Sequence, residues 1–353
     1  MKLTWQRFHL PVARPFRTSQ AVRTDKETLV LSLEHEGEVG RGEAVPMDTY
    51  HQTLESAESA AEAIREILDS PPFDDPFDIE DITAALRHRF DGQRATVAGI
   101  DAALHDWVGK RLGVPVVRLL GLNSSRAPLT SYSLGIDDLE TIEHKLYLAD
   151  RYPILKLKVG VEKDEEIVKR VRKLAPGKVL RVDANGGWTP KVAAQRLRFM
   201  AEQGVELVEQ PIPPGDNAAL ARLKKLGLCP IVADESCVRF EDLPALADCV
   251  DGVNIKLSKC GGIREALRMI HLARGLGLKV MLGCMIESSL GIAAAAQLAP
   301  LADWVDLDGH LLLKTDPFVG LGGVGGQLTI GQGPGLGVRP NVPFHAGSFR
   351  RGS

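Results

Sequence analysis

Cysteine is scarce in this chain, and so is any excess of charge of one sign. The 353 residues include five cysteines, an odd number without a Cys-x-x-Cys pair, so neither a disulfide framework nor a cysteine-based metal site is predicted. Lys and Arg number 43 against 46 Asp and Glu, which argues against a nucleic-acid partner bound through phosphates. No apolar run reaches the ~20 residues of a membrane-spanning helix. We therefore expect a cytoplasmic protein with free thiols and no nucleic-acid or membrane partner.

Several nucleotide and hydrolase signatures are also missing. The chain contains neither Gly-x-x-x-x-Gly-Lys-Ser/Thr nor Gly-x-Ser-x-Gly. A literal Gly-x-Gly-x-x-Gly lies at 320–325, but the residues after it, 327–330, are typical of a strand. A dinucleotide site needs a helix there, whose N-terminus faces the pyrophosphate. We therefore do not interpret this glycine-rich segment as a dinucleotide site.

The N-terminal region predicts an α+β unit. Residues 1–45 form three runs of alternating apolar and polar residues, which indicate an antiparallel meander rather than a signal peptide at the start. Residues 53–120 change to helical periodicity. Strands followed by helices are typical of an α+β arrangement.

From about residue 130 the chain alternates short apolar strands with amphipathic helices. The polar residues that end the strands recur every 22 to 28 residues, which is the length of one βα unit. An eight-stranded parallel barrel is the simplest interpretation, although an open doubly wound sheet would show the same alternation. The predicted strands are 130–134, 154–159, 179–183, 207–209, 231–234, 252–256, 279–284 and 304–308.

Three carboxylates end three consecutive predicted strands. Asp183, Glu209 and Asp234 follow the third, fourth and fifth strands, so a closed barrel brings them together at the face where barrel enzymes place their sites. Their mutual repulsion is relieved by a hard divalent cation, which predicts Mg²⁺, with Mn²⁺ as an alternative. Any single acid could instead be a helix cap or a loop residue, but three in succession favour a metal site.

Two lysines complete the pattern. Lys158 ends the second strand and Lys256 the sixth, so they lie on opposite sides of an eight-stranded barrel with the acids between them. Lys156 lies two residues before Lys158 and points to the same side of its strand. Bases on both faces of a metal-bound carboxylate could remove the α-proton and return it with inversion. For Lys259 we expect an exposed surface position.

The order of these motifs resembles the muconate lactonizing subgroup of the enolase superfamily over nearly the whole chain. The resemblance implies a modified (β/α)7β TIM barrel of the α/β class with an α+β cap, divided into a cap (1–122), a barrel (123–318) and a glycine-rich C-terminal segment that returns to the cap (319–353). It also implies that Asp183, Glu209 and Asp234 bind Mg²⁺ and that Lys158 and Lys256 are the acid/base pair. The motifs are Lys156-Leu-Lys158, Asp183-Ala-Asn185, Glu209-Gln-Pro211, Asp234-Glu-Ser236, Asn254-Ile-Lys256-Leu-Ser-Lys259 and Gly42-Glu43-Ala44-Val45-Pro46.

The eighth strand points to a substrate with a positive charge. Asp306 and Asp308 share one face of this strand outside the metal triad, and such a pair would suit a substrate ammonium, although both could be ordinary loop acids. Together with 283–288 they resemble the dipeptide epimerases of the subgroup. This resemblance implies epimerisation of the C-terminal residue of an L,L-dipeptide. It also implies that Ser133 and Lys156 contact the substrate and that Cys284 and Ile286 line its passage.

The preferred side chains depend on the capping loops. In Ala-Glu epimerases a basic residue of the first capping loop pairs with the glutamate, and Ala21 falls near that position, with Arg17 and Arg23 in another register. We therefore expect Ala-Xaa with an apolar Xaa. Tyr50 and His51 are candidates for a second capping loop.

Other functions stay open at this point. The alternatives are an N-acyl amino acid racemase or o-succinylbenzoate synthase of the same subgroup, a Schiff-base aldolase, and a binding protein on a barrel scaffold. The expected partners are a small-molecule substrate and further copies of the chain in a homo-oligomer.

Overall fold

The N-terminal region forms an antiparallel sheet covered by helices. The computed structural model describes residues 1–341, so residues 342–353 of the predicted C-terminal segment lie outside the described residues. The three strands pair in the order β1-β2-β3, which confirms the predicted meander. They are β1 (Lys2–Arg17), β2 (Val22–His35) and β3 (Glu38–Ala44). Four helices follow, namely α1 (Leu54–Leu68), α2 (Ile79–Arg89), α3 (Arg94–Leu112) and α4 (Val116–Leu119).

Helix α3 packs closely on strand β3 because glycines in the strand leave room for it. A Cβ atom on Gly42 would lie 2.0 Å from the carbonyl oxygen of Gly99 in α3, closer than any side chain can approach. The indole of Trp107 in α3 donates a hydrogen bond to the carbonyl of His35 at the end of β2. The sheet and α3 therefore form one layered unit with its own apolar core.

Eight parallel strands form the second domain, in sequential order across one sheet. The sheet closes through a bridge between Thr130, just before its first strand, and Val305 in its last, where the Ser131 N–H donates to the Val305 carbonyl at 3.1 Å. This closure confirms the barrel over the open-sheet alternative. The strands are β4 (Tyr132–Leu134), β5 (Ile154–Lys158), β6 (Val179–Asp183), β7 (Val205–Glu209), β8 (Ile231–Ala233), β9 (Gly252–Ile255), β10 (Lys279–Gly283) and β11 (Trp304–Asp306).

Helices surround the barrel and connect its strands. The helix over Ser289–Ala296 is buried at every residue, as its apolar sequence predicts. Within residues 1–341 no α-helix follows β11, so the barrel has the predicted modified (β/α)7β form. The helices are α5 (Leu139–Leu148), α6 (Asp164–Leu174), α7 (Pro190–Glu202), α8 (Asn217–Lys224), α9 (Leu243–Leu246), α10 (Leu257–Cys260), α11 (Ile263–Gly275) and α12 (Ser289–Ala296). None of the helices within residues 1–341 is long and apolar enough to cross a bilayer.

The segment after the barrel runs back to the N-terminal helices. Strands β12 (Phe318–Val319) and β13 (Arg339–Pro340) form a short antiparallel pair. Between them, the Gly335 N–H donates to the Val114 carbonyl, and Asp106 in α3 accepts a hydrogen bond from the Leu336 N–H. Residues 327–330 differ from the predicted strand, because only Leu328 forms a bridge, with Gly322.

The barrel interior is apolar at one level and polar above it. Four inward side chains from β7, β8, β10 and β11 form a separate buried cluster, namely Leu207, Val232, Met281 and Trp304. Two residues farther toward the carboxyl ends, on the same face, lie Glu209, Asp234 and Asp306 at the ends of β7, β8 and β11, whereas β10 has Gly283 there. The apolar layer therefore supports a charged layer at the face beneath the N-terminal domain.

Candidate active site

Five charged residues of this layer stand at the ends of five adjacent strands. Lys158, Asp183 and Glu209 are the last residues of β5, β6 and β7, and register pairs Lys158 with Asp183 and Asp183 with Glu209. Asp234 and Lys256 directly follow β8 and β9. Because parallel strands end at one edge, the barrel brings all five side chains together, at the positions that the sequence predicts.

The three acids form a compact cluster of oxygen atoms. Asp183, Glu209 and Asp234 are all buried, and one carboxylate oxygen from each lies within 4.8 Å of the others. Burial and the charge of Asp183 raise the pKa of Glu209 to about 8, so the three acids resist being ionised together. Among the described residues, Glu209 Oε2 accepts no hydrogen bond, although Lys156 Nζ forms an ion pair with it at 2.7 Å. An all-oxygen set with an unsatisfied carboxylate fits Mg²⁺.

The two predicted acid/base lysines lie on either side of this triad. Lys158 Nζ lies 2.6 Å from Asp183 Oδ2, and Lys256 Nζ lies 2.7 Å from Asp234 Oδ2. Burial opposes the ionisation of Asp183, but the ammonium groups of Lys158 and Lys156 outweigh it and lower the pKa of Asp183 to about 2. Strands β6, β7 and β8 separate the two lysines. A substrate above the triad would therefore meet an amine from each side.

Lys156 connects the triad to the acids of the last strand. Its ammonium is fully buried and lies 2.7 Å from Glu209 and 2.6 Å from Asp306. Burial alone would lower the pKa of Lys156, but the carboxylates of Asp306, Glu209 and Asp183 raise it well above its ordinary value. Lys156 is thus a fixed cation between two sets of acids.

The two acids of the last strand are buried beside the first strand. Asp306 accepts a hydrogen bond from the Ser131 hydroxyl at 2.5 Å in addition to its Lys156 contact. Asp308 accepts hydrogen bonds from the Ser133 N–H at 2.6 Å and the Ser133 hydroxyl at 3.3 Å. Burial and the charge of Asp306 raise the pKa of Asp308 to about 7. A cation that enters the site would therefore stabilise the ionised form of this pair.

A cavity of about 200 Å³ lies over these groups, and the N-terminal domain forms its opposite wall. Burial raises the pKa of the Cys284 thiol well above its ordinary value, so Cys284 is a neutral wall of the cavity rather than a nucleophile. On the barrel side the lining includes Ser133, Lys156, Lys158, Asn185, Asp234, Glu235, Lys256, Cys284, Met285, Ile286, Asp306 and Asp308. On the cap side it includes Phe16, Thr18, Gln20, Ala21, Arg23, Lys26, Met47, Asp48, Thr49 and Tyr50.

The capping loops place some of the predicted residues in the cavity and others outside it. Ala21 and Tyr50 line it, whereas Arg17 and His51 are exposed and are not among its described lining residues. Arg23 also lines the cavity, although the sequence places it out of register with the basic residue of Ala-Glu epimerases. Its guanidinium lies 3.7 Å from the Asp48 carboxylate. Alignment of the loop therefore misses one cation of the cavity wall.

The expected surface position of Lys259 is wrong. Lys259 is only 1% exposed, and its ammonium lies 2.6 Å from Asp234 Oδ1. It belongs to the one-turn helix α10, where the spacing of three residues from Lys256 puts both amines on the side of Asp234. Sequence periodicity cannot assign a face to so short a helix, but the Lys-x-x-Lys spacing beside a predicted ligand is a usable signal.

Sequence reasoning also missed a polar contact between the first capping loop and the barrel. The side-chain amide of Gln20 donates to the Asn185 carbonyl at 2.8 Å and approaches Glu235 Oε1 at 3.5 Å. Asn185 has a left-handed backbone with φ 44°, which turns the chain two residues after Asp183. The loop over the cavity thus contacts residues that follow two of the three acids by one or two positions.

Two family models match the chain. Residues 3–121 match the mandelate racemase / muconate lactonizing enzyme N-terminal domain, and residues 141–343 match the enolase C-terminal domain-like family. The L-Ala-D/L-Glu epimerase of Bacteroides thetaiotaomicron is 36% identical over 96% of this chain and 88% of its own length. The hydrophobic dipeptide epimerase of Roseobacter litoralis is 39% identical over 91% of this chain and 93% of its own length.

A solved structure extends the similarity to three dimensions. The dipeptide epimerase of Enterococcus faecalis V583, complexed with Mg and the dipeptide L-Leu-L-Tyr, superimposes with a TM-score of 0.89 at 31% identity. The match covers 96% of this chain and 98% of that chain. The resemblance therefore includes both domains and the arrangement between them.

Proposed function

The chain belongs to the mandelate racemase / muconate lactonizing enzyme family of the enolase superfamily, and from this membership we propose that it is a dipeptide epimerase. Its reaction inverts the α-carbon of the C-terminal residue of an L,L-dipeptide and gives the L,D-dipeptide. The chain is an isomerase, and its relatives include epimerases of Ala-Glu and of hydrophobic dipeptides.

The observation that carries this proposal is the placement of two amines across one carboxylate triad. Lys158 and Lys256 contact different acids of the triad and both line the cavity. Inversion at carbon needs a base on one face and an acid on the other, and these two residues supply both. A single lysine, as in a Schiff-base enzyme, would leave the second lysine and the triad without a role.

The cofactor is Mg²⁺, held by Asp183, Glu209 and Asp234. When bound, it stabilises the negative charge that develops on the substrate carboxylate as the α-proton leaves. Asp183, Glu209 and Asp234 would hold the cation, and its charge would allow a substrate carboxylate to bind beside three acids that would otherwise repel it. The triad therefore fixes where the α-carbon lies between the two lysines.

The other end of the substrate explains why a dipeptide fits. Asp306 and Asp308 lie on the cavity wall, and Lys156 spans from the triad to Asp306. A dipeptide offers a carboxylate to the cation that the triad would hold and an ammonium to this acidic pair. An N-acyl amino acid or a succinylbenzoate has no ammonium for these buried acids, which would then lack a cationic partner from the substrate.

One amine gains a proton and the other loses one, so the net charge of the enzyme does not change. One of Lys158 and Lys256 acts as a neutral amine and accepts the α-proton, and the electron pair of the C–H bond delocalises into the carboxylate. The other lysine, as an ammonium, donates a proton to the opposite face of the same carbon. Return of the proton from the first lysine would regenerate the starting epimer.

The walls of the cavity favour a small N-terminal residue followed by an apolar one. Phe16, Met47 and Ile286 give the upper part of the cavity an apolar surface. Ala21 occupies the loop position where Ala-Glu epimerases carry a basic residue, and Arg23 already has Asp48 as a neighbour. We therefore expect substrates such as L-Ala-L-Leu to be preferred over L-Ala-L-Glu. Assembly into a homo-oligomer stays a prediction.

The test is a library of dipeptides incubated with the protein and Mg²⁺ in D₂O. We expect one α-deuterium in the C-terminal residue of the accepted dipeptides, with formation of the L,D-epimer, as seen by mass spectrometry and chiral chromatography. N-acetylated copies of the same dipeptides are the matched control and should react much more slowly. Exchange into N-acyl amino acids but not into free dipeptides would overturn the proposal.

A further inference from the structure

Lys259 is a buried cation to which the proposed reaction assigns no step. Its ammonium lies 2.6 Å from both Oδ1 and the backbone oxygen of Asp234, 2.8 Å from the Cys237 carbonyl and 3.0 Å from the Asn254 carbonyl. The described residues that line the cavity include Lys256 but not Lys259. Lys259 therefore acts on Asp234 rather than on a substrate.

Lys256 and Lys259 contact different oxygens of the Asp234 carboxylate. Lys256 lies 2.7 Å from Oδ2 on the cavity side, and Lys259 lies 2.6 Å from Oδ1 on the protein side. Lys259 also ties together the end of β8, the loop after it and strand β9 through three backbone carbonyls. Separating a fully buried ammonium from four acceptors would leave an uncompensated charge, so this contact is fixed.

We infer that Lys259 is a positioning residue that retains Oδ1 of Asp234 and leaves Oδ2 as the one oxygen this carboxylate offers to a cation. Mg²⁺ demands near-octahedral coordination, which suits one oxygen from each acid, whereas Ca²⁺ accepts more oxygens and often takes both from one carboxylate. Restriction of Asp234 to one oxygen therefore favours Mg²⁺ over Ca²⁺.

The inference rests on the metal site of the proposed function and not on the identity of the dipeptide. The variant Lys259→Met removes the ammonium and keeps an unbranched side chain of similar length. Isothermal titration of the metal-free protein with Mg²⁺ and, separately, with Ca²⁺ measures the preference without turnover. We expect the Kd for Mg²⁺ to rise about tenfold or more, as is typical when a residue that orients a metal ligand is removed. The Kd for Ca²⁺ should change much less.

The matched control is Lys173→Met, an exposed lysine of α6, which should leave both affinities as they are. An equal loss of affinity for both cations in Lys259→Met would indicate general disruption of the loop and overturn the selectivity. Unchanged affinities would overturn the positioning role itself.

A second measurement uses the unaltered protein and so does not depend on the folding of a variant. In crystal structures with Mg²⁺ we expect one oxygen of Asp234 on the ion and Lys259 Nζ still hydrogen-bonded to the other. Ligation of Mg²⁺ through both oxygens of Asp234 would contradict the inference. Deuterium exchange into dipeptides, measured separately, would stand or fall independently of either result.

Discussion

Replacement of Asp308 by Asn tests how the site recognises the ammonium of a dipeptide. Asp308 is 2% exposed and accepts hydrogen bonds from the Ser133 N–H and hydroxyl. Asparagine has the same shape and retains an oxygen for Ser133, but it carries no charge. The variant should therefore fold normally and lose only the attraction for a positive substrate group.

The expected loss follows from the neighbours of Asp308. Breaking a buried ion pair across an interface costs about 2–5 kcal/mol, and the lower end applies here because Asp306 is still present. Asp306 is already shared with Lys156 and Ser131, so it does not replace Asp308 fully. A loss of about 2 kcal/mol corresponds to about a 30-fold lower kcat/KM for the dipeptide.

The effect should depend on pH in a defined direction. Burial and Asp306 raise the pKa of Asp308 to about 7, so the carboxylate that binds an ammonium is present above pH 7 and is lost as the pH falls. At pH 5 the native carboxyl is about 99% protonated and resembles the asparagine. The ratio of native to variant kcat/KM should then drop from about 30 at pH 8 to below about 2.

The assay is the initial rate of α-deuterium incorporation at subsaturating dipeptide between pH 5 and pH 8. The surface substitution Asp248→Asn, at an exposed position, controls for general effects of the amide. Titrations that are common to both proteins cancel in the ratio of their kcat/KM values. The pH dependence of this ratio therefore reports on Asp308. A ratio that stays constant across this range would refute the assignment of Asp308 to the ammonium.

Three further outcomes follow from the same geometry. Lys256→Met should lower the rate of epimerisation by about 10² to 10⁴, while Lys158 still exchanges the α-proton of one epimer without inversion. Loss of α-proton exchange from both epimers would argue against two separate bases. Chelation with EDTA should abolish activity and lower the melting temperature. Addition of Mg²⁺ at about 100 times its Kd should then raise the free energy of unfolding by about 2.7 kcal/mol. Full activity after exhaustive chelation would contradict the metal role of the triad. Ala21→Arg should raise kcat/KM for L-Ala-L-Glu relative to L-Ala-L-Leu by about tenfold, because the guanidinium can form a charge-assisted hydrogen bond with the glutamate side chain. An unchanged ratio would place the C-terminal side chain elsewhere in the cavity.

The barrel and its charged layer could be predicted from sequence because both depend on regular spacing. Each strand contributes its terminal polar residue at an interval of one βα unit, so Asp183, Glu209 and Asp234 follow from strand order alone. Contacts that depend on loop conformation could not be predicted this way. Gln20 reaches Asn185 only because a hairpin turn of the cap descends onto the barrel over a sequence separation of 165 residues. The buried position of Lys259 could not be predicted, because a helix of one turn is too short to show a hydrophobic period.

The barrel and the capping loops contribute different parts of the site, and only the loops should set the choice of substrate side chain. Lys156 contacts Glu209 and Asp306 at 2.7 Å and 2.6 Å, so the distance between the triad and the acidic pair is fixed by buried barrel residues. Substitutions there should change whether the α-proton is exchanged at all. The side-chain walls come instead from capping loops such as the one that carries Ala21 and Arg23. Because these loops can vary without moving the lysines or the acids, the same barrel can serve different dipeptides, and exchange of the loop should alter preference while the inversion chemistry persists.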